Sequence, residues 1–129
     1  MIRLAPWVHE VGGRSFTLRP LTVRERIAIS ETMADQAGRD VATDARAAGM
    51  APAEALAAAR KAREEARLAS AVVMACFTPA GALRVLDRAC EDASDLMASV
   101  EPQEATSLAL AALGIDLEEH ERRVAAGNP

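Results

Sequence analysis

Residues 7–25 read WVHEVGGRSFTLRPLTVRE, and this stretch decides the fold. Apolar and polar residues alternate through 7–11 and again through 14–19, on either side of Gly12-Gly13. A Gly-Gly pair supplies the positive φ angles that a two-residue hairpin turn requires. That turn sets Val11 opposite Arg14, His9 opposite Phe16 and Trp7 opposite Leu18, all six on one mostly apolar face. Val8, Glu10, Ser15, Thr17 and Arg19 take the other face, which reads as exposed. A lone hairpin is marginal in water. Its apolar face must therefore lie on helices or on another subunit, and Trp7, Phe16 and Leu18 are expected to close over the first helix.

Pro20 ends the second strand, because it has no N–H to give a ladder. Thr22-Val23-Arg24-Glu25 is a capping box, with Thr22 as N-cap and Glu25 at the third helical position. The helix it opens is expected over about 23–37, with Leu21 packing back as a staple and Gly38 as the C-terminal stop. Val23, Ile27, Ser30, Met33 or Ala34, and Ala37 follow helical spacing. Residues 38–51 carry no apolar stripe and read as a mobile loop or a frayed helical turn. Pro52 suits the first position of a long helix reaching about Cys76. Along it Ala59, Ala62, Ala66, Ala69, Val73 and Cys76 form a stripe of small side chains, a seam on which another helix can pack closely. The seam can close within the chain or between copies of it.

Thr78-Pro79-Ala80-Gly81 breaks the chain before a short helix marked by Leu83, Leu86, Ala89 and Cys90. Leu96, Met97 and Val100 mark a further turn or two. Pro102 opens a helix over about 103–113 that Gly114 stops. Asp116-Leu117-Glu118-Glu119 reads as a second capping box before a short, charged final helix. The expected architecture is α+β, mainly α: one domain over 1–129, with an N-terminal hairpin on four to five helices.

The bulk numbers narrow the function classes. Half of the 129 residues are apolar, but aromatics make up 2%, and Ala supplies many of the rest, so the core is thin for its length. The net charge is −4, which argues against a general nucleic-acid binder, although five of the first 26 residues are Arg. No apolar run approaches the roughly 20 residues of a membrane span, and the N-terminus lacks the long apolar core of a signal peptide. A cytoplasmic protein is expected. Cys76 and Cys90 sit in apolar helical stretches without a nearby His, and read as reduced, buried small hydrophobes.

Nothing in the sequence assembles a site for chemistry. His9 lies on the packed face of the hairpin, and His120 stands among charges with no metal-ligand spacing. Gly12-Gly13 lacks the Lys and following helix of a phosphate loop. Glu64-Glu65, flanked by Arg, is a solvated charge pair. Neither an enzymatic role nor a cofactor is expected. The basic end, Arg14 to Arg26, could contact nucleic acid, but Trp7 and Phe16 lie on the face that must be buried and are not free to stack on bases.

The run GRSFTLRPLTVRERIAI, with Gly12, Gly13, Phe16, Leu18, Arg19, Pro20, Leu21 and Thr22 at its motif positions, resembles the start of bacteriophage tail assembly chaperones. SDLMASVEPQEATSLALAAL is similar to the acidic turn, Pro and Ala/Leu helix near the end of such proteins. The resemblance implies a non-enzymatic protein of the infected bacterial cytoplasm, found in phages, prophages and gene-transfer particles. It would bind tape measure or tail tube subunits and keep them soluble until the tube forms. The residues expected to face that partner are Ile27, Met33, Ala62, Ala66, Ala69 and Val73; Trp7, Phe16, Leu18, Pro20, Thr22 and Glu25 are expected to be structural. Two other readings stay open: a structural virion component such as a head–tail adaptor or tail-end subunit, and a small helical regulator.

Overall fold

The computed structural model describes residues 5–115 and Gly127. The expected second capping box and final charged helix lie outside the described residues. Element order is β1 (Trp7–Val11), β2 (Arg14–Leu18), α1 (Val23–Ala47), α2 (Pro52–Ala66), α3 (Ala69–Ala75), α4 (Pro79–Ala89), α5 (Ala93–Ser99) and α6 (Pro102–Ala112). The fold is α+β and mainly helical, with a two-stranded N-terminal sheet. The chain divides into two compact units, Met1–Glu25 with Ala75–Pro129, and Arg26–Met74.

In the first unit the hairpin has the register that the glycine pair dictates: Trp7↔Leu18, His9↔Phe16 and Val11↔Arg14. Gly12 and Gly13 have φ of 56° and 81°, as a turn with two left-handed residues requires. Phe16 and Leu18 are buried, Trp7, His9 and Val11 are half-buried, and Val8, Glu10, Ser15 and Thr17 are exposed. The floor of the hairpin is made by the C-terminal helices of the same unit. His9 Nε2 lies 2.8 Å from Glu104 Oε1 of α6. Arg14 stacks 4.7 Å from the centroid of the Phe16 ring and reaches Asp95 at 3.1 Å and Asp92 at 3.6 Å.

The chain leaving β2 caps two helices at once. Helix C-termini carry carbonyls without intrahelical partners. The Arg19 N–H donates to the Ala89 carbonyl at the end of α4 (2.9 Å), and the Leu21 N–H donates to the Ala112 carbonyl at the end of α6 (2.8 Å). Successive amides of an extended segment point opposite ways, so the residue between, Pro20, needs no N–H. The junction continues into the expected capping box. Glu25 N–H donates to Thr22 Oγ1 (3.1 Å), and Thr22 N–H donates to Glu25 Oε1 (3.0 Å).

Below the hairpin, Ala82, Val85, Leu86 and Ala89 of α4 and Ala105, Leu108, Ala109 and Ala112 of α6 are all buried. The Thr106 hydroxyl, also buried, donates to the Cys76 carbonyl at 2.8 Å. Thr78 caps α4 by accepting from the Gly81 N–H (3.1 Å), with Pro79 in the first turn. Gly81 is required there: a Cβ on it would stand 2.0 Å from the Ala75 carbonyl oxygen. α6 ends as expected at Gly114, which has φ of 77°. Ile115 N–H then donates to Leu110 O and Gly114 N–H to Ala111 O, the paired bonds of a Schellman motif.

The second unit corrects two expectations. Gly38 does not stop α1, which continues to Ala47, so the loop or frayed turn expected from residue 38 is helical for most of its length. The stop is Gly49, with φ of 76°. Gly49 N–H donates to Arg46 O and Met50 N–H to Ala45 O, a second Schellman motif. Gly38 is instead a buried close-approach point, its Cβ position 3.5 Å from the Ala59 carbonyl and 3.1 Å from Arg63 Nε. α1 and α2 run antiparallel: Asp35 pairs with Arg63 (3.8 Å), and a turn earlier Glu31 pairs with Arg67, a turn later (3.1 Å). Nor does the second helix run unbroken to Cys76; it ends at Ala66, and α3 starts at Ala69. Arg67 N–H bonds back to Arg63 and Glu64 and Leu68 N–H to Glu65, tightening the last turn.

Candidate interaction surface

The residues expected to face a partner fall into distinct environments. Ile27 is exposed on α1, with 58% of its surface accessible. Met33 on α1, Ala62 and Ala66 on α2 and Val73 on α3 are half-buried; Ala69 opens α3. The seam of small residues is used within the chain at least at its start. Ala55 is buried, and the Ala59 backbone meets Gly38 of α1.

Sequence reasoning missed a larger set of exposed apolar side chains. Val23, Ile27, Met50, Leu56, Leu68, Met74 and Phe77 are all exposed, whereas outside the segment from Val23 to Phe77 only Val8 joins them among the described residues. Val23 and Ile27, 72% and 58% accessible, are one turn apart on α1 and share a face. A signal was present. Leu56 and Leu68 fall off the stripe of small residues, so an apolar side chain at either point is left without the seam to bury it.

The electrostatics are strongest at the start of α1. Arg19 grips Glu25 with two parallel bonds, Nη1 to Oε1 at 2.7 Å and Nη2 to Oε2 at 2.6 Å. This fork and the hydrogen bond from the Thr22 N–H hold the Glu25 carboxyl down to about 2, and the same pairing raises Arg19. The arrangement locks the hairpin to the first turn of α1. Cys76 and Cys90 are buried and unbridged, and burial pushes the Cys76 thiol up to about 11. Such a thiol is a poor nucleophile at neutral pH. His9 is held by Glu104 on the packed side of the hairpin. Among the described residues no three of His, Cys, Asp and Glu come together as metal ligands, and no helix is long and apolar enough to cross a membrane.

Compared with known proteins, the chain matches no family model, no curated protein and no solved structure.

Proposed function

We propose that the chain is a non-enzymatic, phage tail assembly chaperone-like protein that binds tape measure or tail tube subunits during tail assembly in the bacterial cytoplasm. The observation that carries this reading is the run of exposed apolar side chains between Val23 and Phe77. Neighbouring large apolar groups left in water mark surfaces that take another protein. Val23 and Ile27, one turn apart on α1, suit a helical client as anchors at helical spacing. Ile27 is the candidate that both the sequence and its exposure favour. The resemblance adds to this: its motif residues, Gly12 to Thr22, all serve one junction of hairpin, double cap and capping box.

The test is co-expression with the tape measure protein of a phage or prophage that encodes this chain. The reading expects more soluble tape measure protein and its co-purification, both reduced by Ile27→Asp with Leu56→Asp. Unchanged solubility and no co-purification refute it. So does finding the chain in purified particles by mass spectrometry, since an assembly chaperone leaves before maturation.

A further inference from the structure

We infer that the outer edge of β2 is a docking site for an extended, basic segment of another protein. The argument starts from the turn. Residues flanking a two-residue turn form a hydrogen-bonded pair, and bonded and non-bonded pairs then alternate. Val11–Arg14, His9–Phe16 and Trp7–Leu18 are therefore bonded, and the N–H and C=O of Ser15 and Thr17 point away from β1. Arg19 shares their parity. Its N–H does point outward, to the Ala89 carbonyl 2.9 Å away.

A groove of about 620 Å³ lies along this edge, with residues 15–19 as one wall, residues 87–92 as the other and Pro6 completing the lining. Ser15 to Leu18 of β2 and Arg19 just after it line the groove, from both faces of the sheet, so it follows the strand's edge. The amides and carbonyls of Ser15 and Thr17 thus open onto a cleft in which a second strand can pair with them. The Arg19–Ala89 bond closes one end and fixes the register.

The chemistry of the far wall selects the occupant. It presents Asp87 and Glu91 against Arg88, beside Asp92, which Arg14 already reaches at 3.6 Å. The other guanidinium at the groove, Arg19, is already forked onto Glu25. A strand laid on β2 carries its side chains to the two faces of the sheet, with the acidic wall along its outer side, so Lys and Arg are favoured over Glu and Asp. None of its lining residues is among the exposed apolar residues of the helices, and its test does not depend on them.

The experiment is a ¹⁵N-correlation titration of the full chain with acetyl-Lys-Val-Lys-Val-Lys-amide, with acetyl-Glu-Val-Glu-Val-Glu-amide as control. The basic peptide is expected to shift the Ser15 and Thr17 amides and slow their hydrogen exchange. The acidic peptide should bind at least about tenfold more weakly. Thr17→Pro removes an outward N–H without touching the β1 ladder, so the variant should keep the hairpin's native shifts and lose roughly tenfold in affinity. Asp87→Asn with Glu91→Gln should flatten the preference for the basic peptide. The inference is overturned by shifts mapping elsewhere, by equal binding of both peptides, or by a Thr17→Pro variant that folds and binds normally. It is overturned equally if sedimentation shows a dimer in which the Thr17 amide is already protected, since the edge then belongs to a second copy of the chain.

Discussion

Adding one methyl group at two helical glycines should have opposite effects, and the difference follows from what each Cβ meets. Glycine in a helix interior costs about 1 kcal/mol relative to alanine, so propensity alone predicts that both substitutions stabilise. At Gly38 the new Cβ would lie 3.1 Å from Arg63 Nε, the movable part of a long side chain, and 3.5 Å from the Ala59 carbonyl. Arg63 can give, and Gly38→Ala should be neutral or stabilising by up to about 1 kcal/mol. At Gly81 the Cβ would stand 2.0 Å from the Ala75 carbonyl oxygen and 2.6 Å from its carbon. That oxygen is pinned by the Thr78 N–H (3.0 Å) and the Thr78 hydroxyl (2.8 Å), and Thr78 is itself the cap that receives the Gly81 N–H. Relief of the clash requires moving backbone and breaking this cap. Overpacking and the lost bonds together exceed the propensity gain, and Gly81→Ala should cost about 3 kcal/mol net. In a chain of this size that lowers Tm by on the order of 10 °C. Urea melts followed by far-ultraviolet circular dichroism measure both variants against the parent. If Gly81→Ala is as stable as Gly38→Ala, the close approach of α4 to the end of α3 is wrong.

Three further outcomes follow from the same packing. Phe16→Ala should cost about 3–5 kcal/mol in a denaturant melt, because the ring is buried beneath Arg14, whereas half-buried Trp7→Ala should cost about 1–2 kcal/mol; the reverse order would mean that the hairpin packs through its other end. Glu25 sits below its ordinary value of 4.5, at about 2, so the stability it contributes is complete above 4.5 and is lost as pH falls toward 2. Acid titrations should therefore show a steeper loss for the parent than for Glu25→Gln across that window, and parallel curves would contradict the Arg19–Glu25 fork. Ellman's reagent should react with neither buried thiol in the native chain and with both once it is unfolded, and quick labelling of Cys76 without denaturant would contradict its burial.

The hairpin was legible in the sequence because local chemistry determines it. Gly12-Gly13 allows one turn, the turn fixes the register, and period two then assigns the faces. The capping box at Thr22 and Glu25 and the stop at Gly114 were readable for the same reason. Gly38 and Gly49 show where local reading fails. Both glycines follow helical residues, and only the approach of α2 tells that Gly38 stays helical while Gly49 turns left-handed. Gly49 had the stronger context, since Pro52 follows it as Pro often follows a helix end. The floor of the hairpin was not legible, because His9 meets Glu104 and Arg19 meets Ala89 across long sequence separations. The break after Ala66 carries no Gly or Pro, and Ala62, Ala66 and Ala69 keep helical spacing across it, which hides it. Of the candidate surface, Ile27 was readable from its place on α1. Leu56 and Leu68 carried a signal in falling off the stripe of small residues, whereas Met74 and Phe77 did not, because an apolar residue in a thin-cored chain is first read as core.

The most direct test of the functional account is capture of a tape measure protein by the parent chain and by the Ile27→Asp, Leu56→Asp variant. Both should be co-expressed with that partner and compared after confirming equal folding by circular dichroism. The account predicts that the parent brings the tape measure protein into the soluble fraction and elutes with it, while the folded variant does not. Equal recovery with both would contradict it, since the exposed helical residues would then hold nothing.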